Sequence, residues 1–185
     1  MARTSFKGVN VLISVGVPAV LAPVATYGAS LTTGGLKVIT AIANEPSTLF
    51  FLPTGKTSDL HKQKTSERHK FHGGTEVGDL FEQDESIMGS VEAVLVRSVA
   101  ADGYYDPAID LMIQAAQTSN QDIYVKIERY MGFVSATLGH SYHVKAALVK
   151  VKSDNNTVAA DSKAVTQTFS FEGSGNYIEG YQYKL

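Results

Sequence analysis

Five histidines are the first side chains to test for chemistry. His61, His69 and His72 fall in one polar stretch, and His140 and His143 flank a turn. The pairs His69/His72 and His140/His143 have the His-x-x-His spacing that can begin a zinc site. Zinc needs three or four rigidly placed ligands and outer groups that orient them. The first three histidines instead lie among lysines, whose charge opposes a dication. A solvated, cationic stretch is the expectation, and no metal site is assigned.

The serines and glycines are no more suggestive. Gly139-His140-Ser141 and Gly173-Ser174-Gly175 lack the G-x-S-x-G pattern of a nucleophile elbow. Gly173 and Gly175 lack the third glycine of a dinucleotide-binding loop. Gly55-Lys56-Thr57 keeps only the ending of a phosphate-binding loop. Glu82, Asp84 and Glu85 do not have the spacing of a calcium loop, and acidic runs on loops are usually solvated. Cysteine is absent, which removes disulfides, thiolate ligands and cysteine nucleophiles together and fits assembly in a reducing cytoplasm. No catalytic residue, metal or cofactor is expected, and the chain is not expected to be an enzyme.

Composition narrows the class further. Hydrophobic residues form 44% and charged residues 18% of 185 residues, enough to bury the core of a single domain spanning 1–185. Sixteen glycines, nine tyrosines and eight phenylalanines lean towards strands and turns. A net charge of −2 gives no global reason to hold nucleic acid, which requires clustered Lys and Arg. Near the start, Asn10, Ser14, Gly16, Pro18 and Pro23 interrupt an apolar run from Val9 to Ala25. Those interruptions argue against a cleaved signal or a membrane span and place the segment in the fold.

The elements are read from periodicity. Val9, Val11, Ile13 and Val15 alternate with Asn10, Leu12, Ser14 and Gly16, the period of a strand. Pro18 and Pro23 restrict the next stretch of chain to an edge strand or an irregular segment. Strands are expected over 36–43 and about 87–100. Asp106-Pro107 is a helix start, and Ile109, Met112, Ile113 and Ala116 form one apolar stripe after it. Ser119-Asn120 closes that helix. A strand over 122–130 sets Ile123, Val125, Ile127 and Arg129 against Tyr124, Lys126, Glu128 and Tyr130. Another, about 142–152, ends in a turn at Asp154-Asn155-Asn156. A last strand, about 164–172, puts Phe169 and Phe171 on one face, and Gly173, Gly175 and Gly180 break up the tail. One helix beside six or more strands predicts a mainly-β sandwich or barrel with a flanking helix.

Between 53 and 86 no apolar period survives, so a long polar loop is expected. Its charges are segregated. Lys56, Lys62, Lys64, Arg68 and Lys70 fill the first half, while Glu76, Asp79, Glu82, Asp84 and Glu85 fill the second. A basic arm of one copy could lie against acidic surface of the next, so these ten residues are the candidate subunit interface.

From about 91 onward the chain resembles the major tail tube proteins of long-tailed bacteriophages. The resemblance rests on the strand at 90–98, the helix opened by Asp106-Pro107, the strand at 122–130, and the ending VTQTFSFEGSGNYIEG at 165–180. The long loop between early strands is similar in position and character. The resemblance implies a β-sandwich core with one helix on its flank and rings of six subunits whose inner strands join into a barrel. It further implies stacking of rings into a tube, loops reaching neighbouring subunits, and DNA passing through the lumen without specific binding. Implied partners are other copies of the chain and tail terminator, tape measure and baseplate-type virion proteins. The implied location is the virion tail, assembled in the host cytoplasm. Competing expectations are a head decoration or tail terminator protein, or a ligand-binding β-sandwich.

Overall fold

The computed structural model describes residues 11–30, 37–52, 55–68, 80–95, 106–118, 121–157, 165–173 and 175–185. Two long strands form its centre, β7 (Asp122–Ser135) and β8 (Gly139–Thr157), paired antiparallel as a hairpin. On the outer edge of β7 lies β1 (Val11–Gly16), with Ile13 opposite Ile127, and the two-residue β4 (Phe50–Phe51) lies outside β1. The other edge of β8 is shared. β9 (Thr166–Gly173) pairs with its second half and β10 (Tyr177–Lys184) with its first half.

β9 and β10 therefore run in line along one edge, Glu172 opposite Lys150 and Tyr177 opposite Ala147. The chain breaks step between them, at Gly175 with φ +154°, a conformation glycine tolerates. There the sheet forks. β9 continues to β6 (Leu80–Val94) and then β5 (Gly55–Arg68), whereas β10 continues to β3 (Lys37–Ala43) and then β2 (Val24–Ser30). The result is a mainly-β fold with a single helix among the described residues. Its ten strands belong to one connected sheet that does not close into a barrel.

Both faces of the central hairpin are covered. The helix α1 (Pro107–Gln117) lies on one. Its start is the one expected: Asp106 accepts a hydrogen bond from the Ala108 backbone N–H at 3.0 Å, and Pro107 opens the first turn. Ala108, Ile109, Leu111, Met112 and Ala115 are buried against Ile123, Val125, Val149, Phe169 and Phe171. The stripe is rotated slightly from expectation, with Ile113 and Ala116 at its flank. The β2–β3 hairpin covers the opposite face, where Ile39 packs with Tyr124, Val144, Ala146 and Ile178.

β3 meets β10 at one parallel pair, Val38 with Tyr181. Gly180 permits that approach, because a Cβ there would sit 2.5 Å from the Lys37 carbonyl oxygen and 2.9 Å from Ile39 Cγ1.

Several expectations are corrected. The stretch at 53–86, read as loop, contains strands: β5 pairs with β6 from Gly55 opposite Ala93 to Arg68 opposite Leu80. Periodicity needs a repeat of buried apolar positions, and in this stretch Leu60 is the buried apolar residue among the described side chains. β6 also pairs with β9 from Ile87 to Val94, but beyond Ile87 only β5 accompanies it among the described residues. Asp154-Asn155-Asn156 is strand, not turn, because β9 supplies a partner for each residue. The tail at 177–184 is likewise a strand, in which Gly180 serves close packing. Residues 119–120, read as the helix stop, and 96–100, read as strand, lie outside the described residues.

Two substitutions test this packing. Gly180→Val should destabilise by about 1–3 kcal/mol through overpacking against β3, measured by denaturant unfolding. Asp106→Ala should cost about 1 kcal/mol through the lost cap, read in the same assay.

Candidate functional site

The ten charged residues singled out in the sequence divide into three groups. Lys56, Lys62, Lys64 and Arg68 lie on β5, and Glu82, Asp84 and Glu85 lie on β6. Lys70, Glu76 and Asp79 lie outside the described residues. The antiparallel register folds the basic half back along the acidic half, placing Lys64 opposite Glu85 and Ser66 opposite Glu82. Opposite charges at facing positions stabilise a ladder. Lys64 and Glu85 are the facing charges in this register, whereas Lys62 faces Ile87 and Arg68 faces Leu80.

The histidines are dispersed. His61 bonds Asp59 at 2.8 Å on the exposed side of β5. His140 and His143 are three residues apart on a strand, hence on opposite faces. His140 bonds the Tyr130 hydroxyl at 3.1 Å, while His143 bonds Glu179 at 3.0 Å. Burial lowers the pKa of His143, and Glu179 beside it opposes that shift. His69 and His72 lie outside the described residues.

A polar cluster missed in the sequence sits beneath the β2–β3 hairpin. Tyr124, Lys126 and Glu128 form one face of β7, and that face is dry. Lys126, with its side chain 7% exposed, donates to Glu45 at 2.8 Å and lies 3.2 Å from Glu128, 5% exposed. Lys184 reaches Glu128 at 2.7 Å, and the Tyr124 hydroxyl donates to Glu45 at 3.1 Å. Three segments distant in sequence are thus tied by charge and hydrogen bonds. Alternation of Tyr124, Lys126 and Glu128 signalled a polar face. Only the partners, Glu45 and Lys184, decide that it is buried.

The open sheet leaves strand edges. Among the described residues, β2 has a partner on one side only, and β5 likewise. Among the described residues, β1 pairs with β7 as far as Val11 opposite Arg129. Exposed edges invite pairing with another chain. A cleft of about 590 Å³ lies at the fork, lined by Ala22, Asp122, Lys150, Lys152 and Glu172. Its Lys152 and Glu172 pair with each other at 3.2 Å.

No family model matches the chain, and no curated protein matches it in sequence. Solved structures do match. The SPP1 tail tube protein superposes over 98% of this chain and 81% of its own, with a TM-score of 0.54 at 13% identity. A chain of the anti-feeding prophage baseplate, solved with 6-fold symmetry, superposes over 97% of each chain, with a TM-score of 0.50 at 11% identity. The chain has the fold of phage tail tube proteins.

The buried cluster makes two predictions. Lys126→Met should destabilise by about 3 kcal/mol, the lower end for breaking a buried ion pair, because Lys184 still pairs Glu128; urea unfolding measures it. Burial first, then the Glu45 charge and hydrogen bond, hold the Tyr124 pKa far above the tyrosine range. A folded-state pKa raised this way contributes stability below the unfolded value, and that contribution is lost as pH rises past about 10. Stability should therefore fall in alkali, and Tyr124→Phe should flatten that fall in a series of unfolding curves.

Proposed function

We propose that this chain is a structural virion protein, not an enzyme, which self-assembles into hexameric rings that stack as a phage tail tube. The observation that carries this reading is the open ten-stranded sheet whose end strands have one partner each among the described residues, in a fold shared with the SPP1 tail tube. A ring joins the edge of one copy to that of the next, and a closed rotation leaves no edge unpaired. The sixfold symmetry of the anti-feeding prophage baseplate supports a ring of six.

In this reading the β5–β6 hairpin is an arm that reaches a neighbouring subunit. Lys56, Lys62, Lys64, Arg68 and Lys70 present one sign of charge, and Glu76, Asp79, Glu82, Asp84 and Glu85 the other. Exchange of charge partners between copies then competes with pairing inside one hairpin. The tube conducts DNA without holding it, consistent with a net charge of −2, since tight binding requires clustered basic residues. Tail terminator, tape measure and baseplate-type proteins meet the tube at its ends and in its lumen. Assembly takes place in the host cytoplasm and the product resides in the virion tail.

Electron microscopy of purified protein over a concentration series tests the reading, with hollow tubes expected. Closed rings that never elongate would point instead to a capping component such as a tail terminator. A monomer at every concentration and with every virion partner would overturn both. Reversing Lys62, Lys64 and Arg68 together to Glu should slow tube growth while leaving the monomer folded by circular dichroism; unchanged growth would remove the arm's electrostatic role.

A further inference from the structure

Two apolar surfaces lie at opposite ends of the central sheet. The first is the tip of the β7–β8 hairpin, where Phe133 is 63% exposed and Val134 and Leu138 are exposed beside it. The second is the connection from β1 to β2, where Val17 is 59% and Leu21 65% exposed, with Val20 standing fully in solvent. Register fixes their separation. Gly16, which leads into the connection, lies opposite Tyr124, and the tip begins beyond Phe133. Nine or so strand residues span roughly 30 Å.

Both surfaces are held in shape. A register shift between Tyr130 and Gly132, with Gly132 at φ +134°, inserts one residue into β7. Simple alternation would put Phe133 with Ile127 and Arg129. The bulge turns it to the face of Tyr130, His140 and Tyr142. There Phe133 meets the His140 ring edge-on at 5.4 Å, and Tyr130 packs on His140 and Tyr142 at 5.6 Å. The aromatic row braces the tip, and Lys184 lies over Tyr142 at 5.2 Å. At the other end, Pro18 and Pro23 limit the backbone, Pro23 is buried, and Asn44 Nδ2 donates to the Ala22 carbonyl oxygen at 3.1 Å.

We infer that the hairpin tip of one copy seats on the 17–21 connection of the next copy along the strand direction, Phe133 being the anchor. The occupant is a second copy because both surfaces are apolar, each with three exposed side chains, and they occur on one molecule at opposite ends of β7. Such a contact is heterologous, and repeated along the strand direction, without a rotation that closes it, it extends a stack. Each surface offers on the order of a few hundred Å² of apolar area, the size that marks interaction sites. That is well below the roughly 800 Å² per partner of a stable pairwise complex. One such contact is too small to hold a dimer, but six in parallel between two rings act together. Preorganisation of both surfaces spares the ordering cost that would otherwise cancel so small an area. This inference rests on the stacked-ring reading and assigns the axial contact a surface separate from the charged arm.

The absence of cysteine gives a direct test. In a Leu138→Cys, Val20→Cys double variant, oxidised tubes should yield covalent ladders on denaturing gels, and each single variant should yield none beyond a dimer. Phe133→Asp and Val20→Asp should each raise the concentration needed for tube growth by about tenfold, with the monomer still folded by circular dichroism. Wild-type tubes together with absent ladders and unimpaired Asp variants would overturn this contact while leaving the tube intact. A wild-type protein that forms no tubes would overturn both.

Discussion

Strand β7 meets water on neither face over Ile123 to Glu128, and most of the architecture answers to that condition. One face carries Ile123, Val125 and Ile127, which the helix and β9 cover by ordinary apolar burial. The other carries Tyr124, Lys126 and Glu128, which cannot be buried without charge partners. Glu45 arrives from beyond β3 and Lys184 from the end of β10 to supply them. A buried ion network of this kind adds little net stability compared with an apolar core, yet it tolerates few alternative arrangements. It fixes where the β2–β3 hairpin lies on the sheet and where β10 ends.

The fork between β9 and β10 is the second consequence. Because both strands share one edge of β8, the sheet diverges and cannot meet itself. One branch wraps the helix side and ends in the β5–β6 arm; the other folds β2–β3 over the ion network. Closure inside one chain would have removed the edges. Divergence keeps them, and a chain that keeps its edges is suited to satisfy them with copies of itself.

Three kinds of contact then share the work of association in the proposed tube. The arm carries charge that can pair within its own hairpin or with a neighbour, so its contribution falls with added salt. The braced hairpin tip and the proline-limited connection offer small apolar areas that salt does not weaken. Lateral edge pairing is directional, through backbone hydrogen bonds. The three act along different directions of an assembly, which lets ring formation and stacking respond separately to conditions.

Elements with a face against an apolar core could be read from the sequence. Val11–Gly16, Lys37–Ala43, the capped helix at Asp106-Pro107, and the Ile123/Val125/Ile127 and Phe169/Phe171 alternations each announce themselves by period, because burial on one face imposes it. The resemblance to tail tube proteins was also present there. Where the period fails, only the tertiary structure decides. The β5–β6 ladder meets the core at Leu60 and Ile87, and two apolar positions 27 residues apart in sequence set no local period; pairing across strands makes them neighbours. Asp154-Asn155-Asn156 becomes strand because β9 lies beside it. Gly180 is set by the approach of β3, and the polar face of β7 is buried because Glu45 and Lys184 come to it from 79 residues before Tyr124 and 56 residues after Glu128. Periodicity is a local consequence of burial, whereas partnership between distant strands is not written in any one of them.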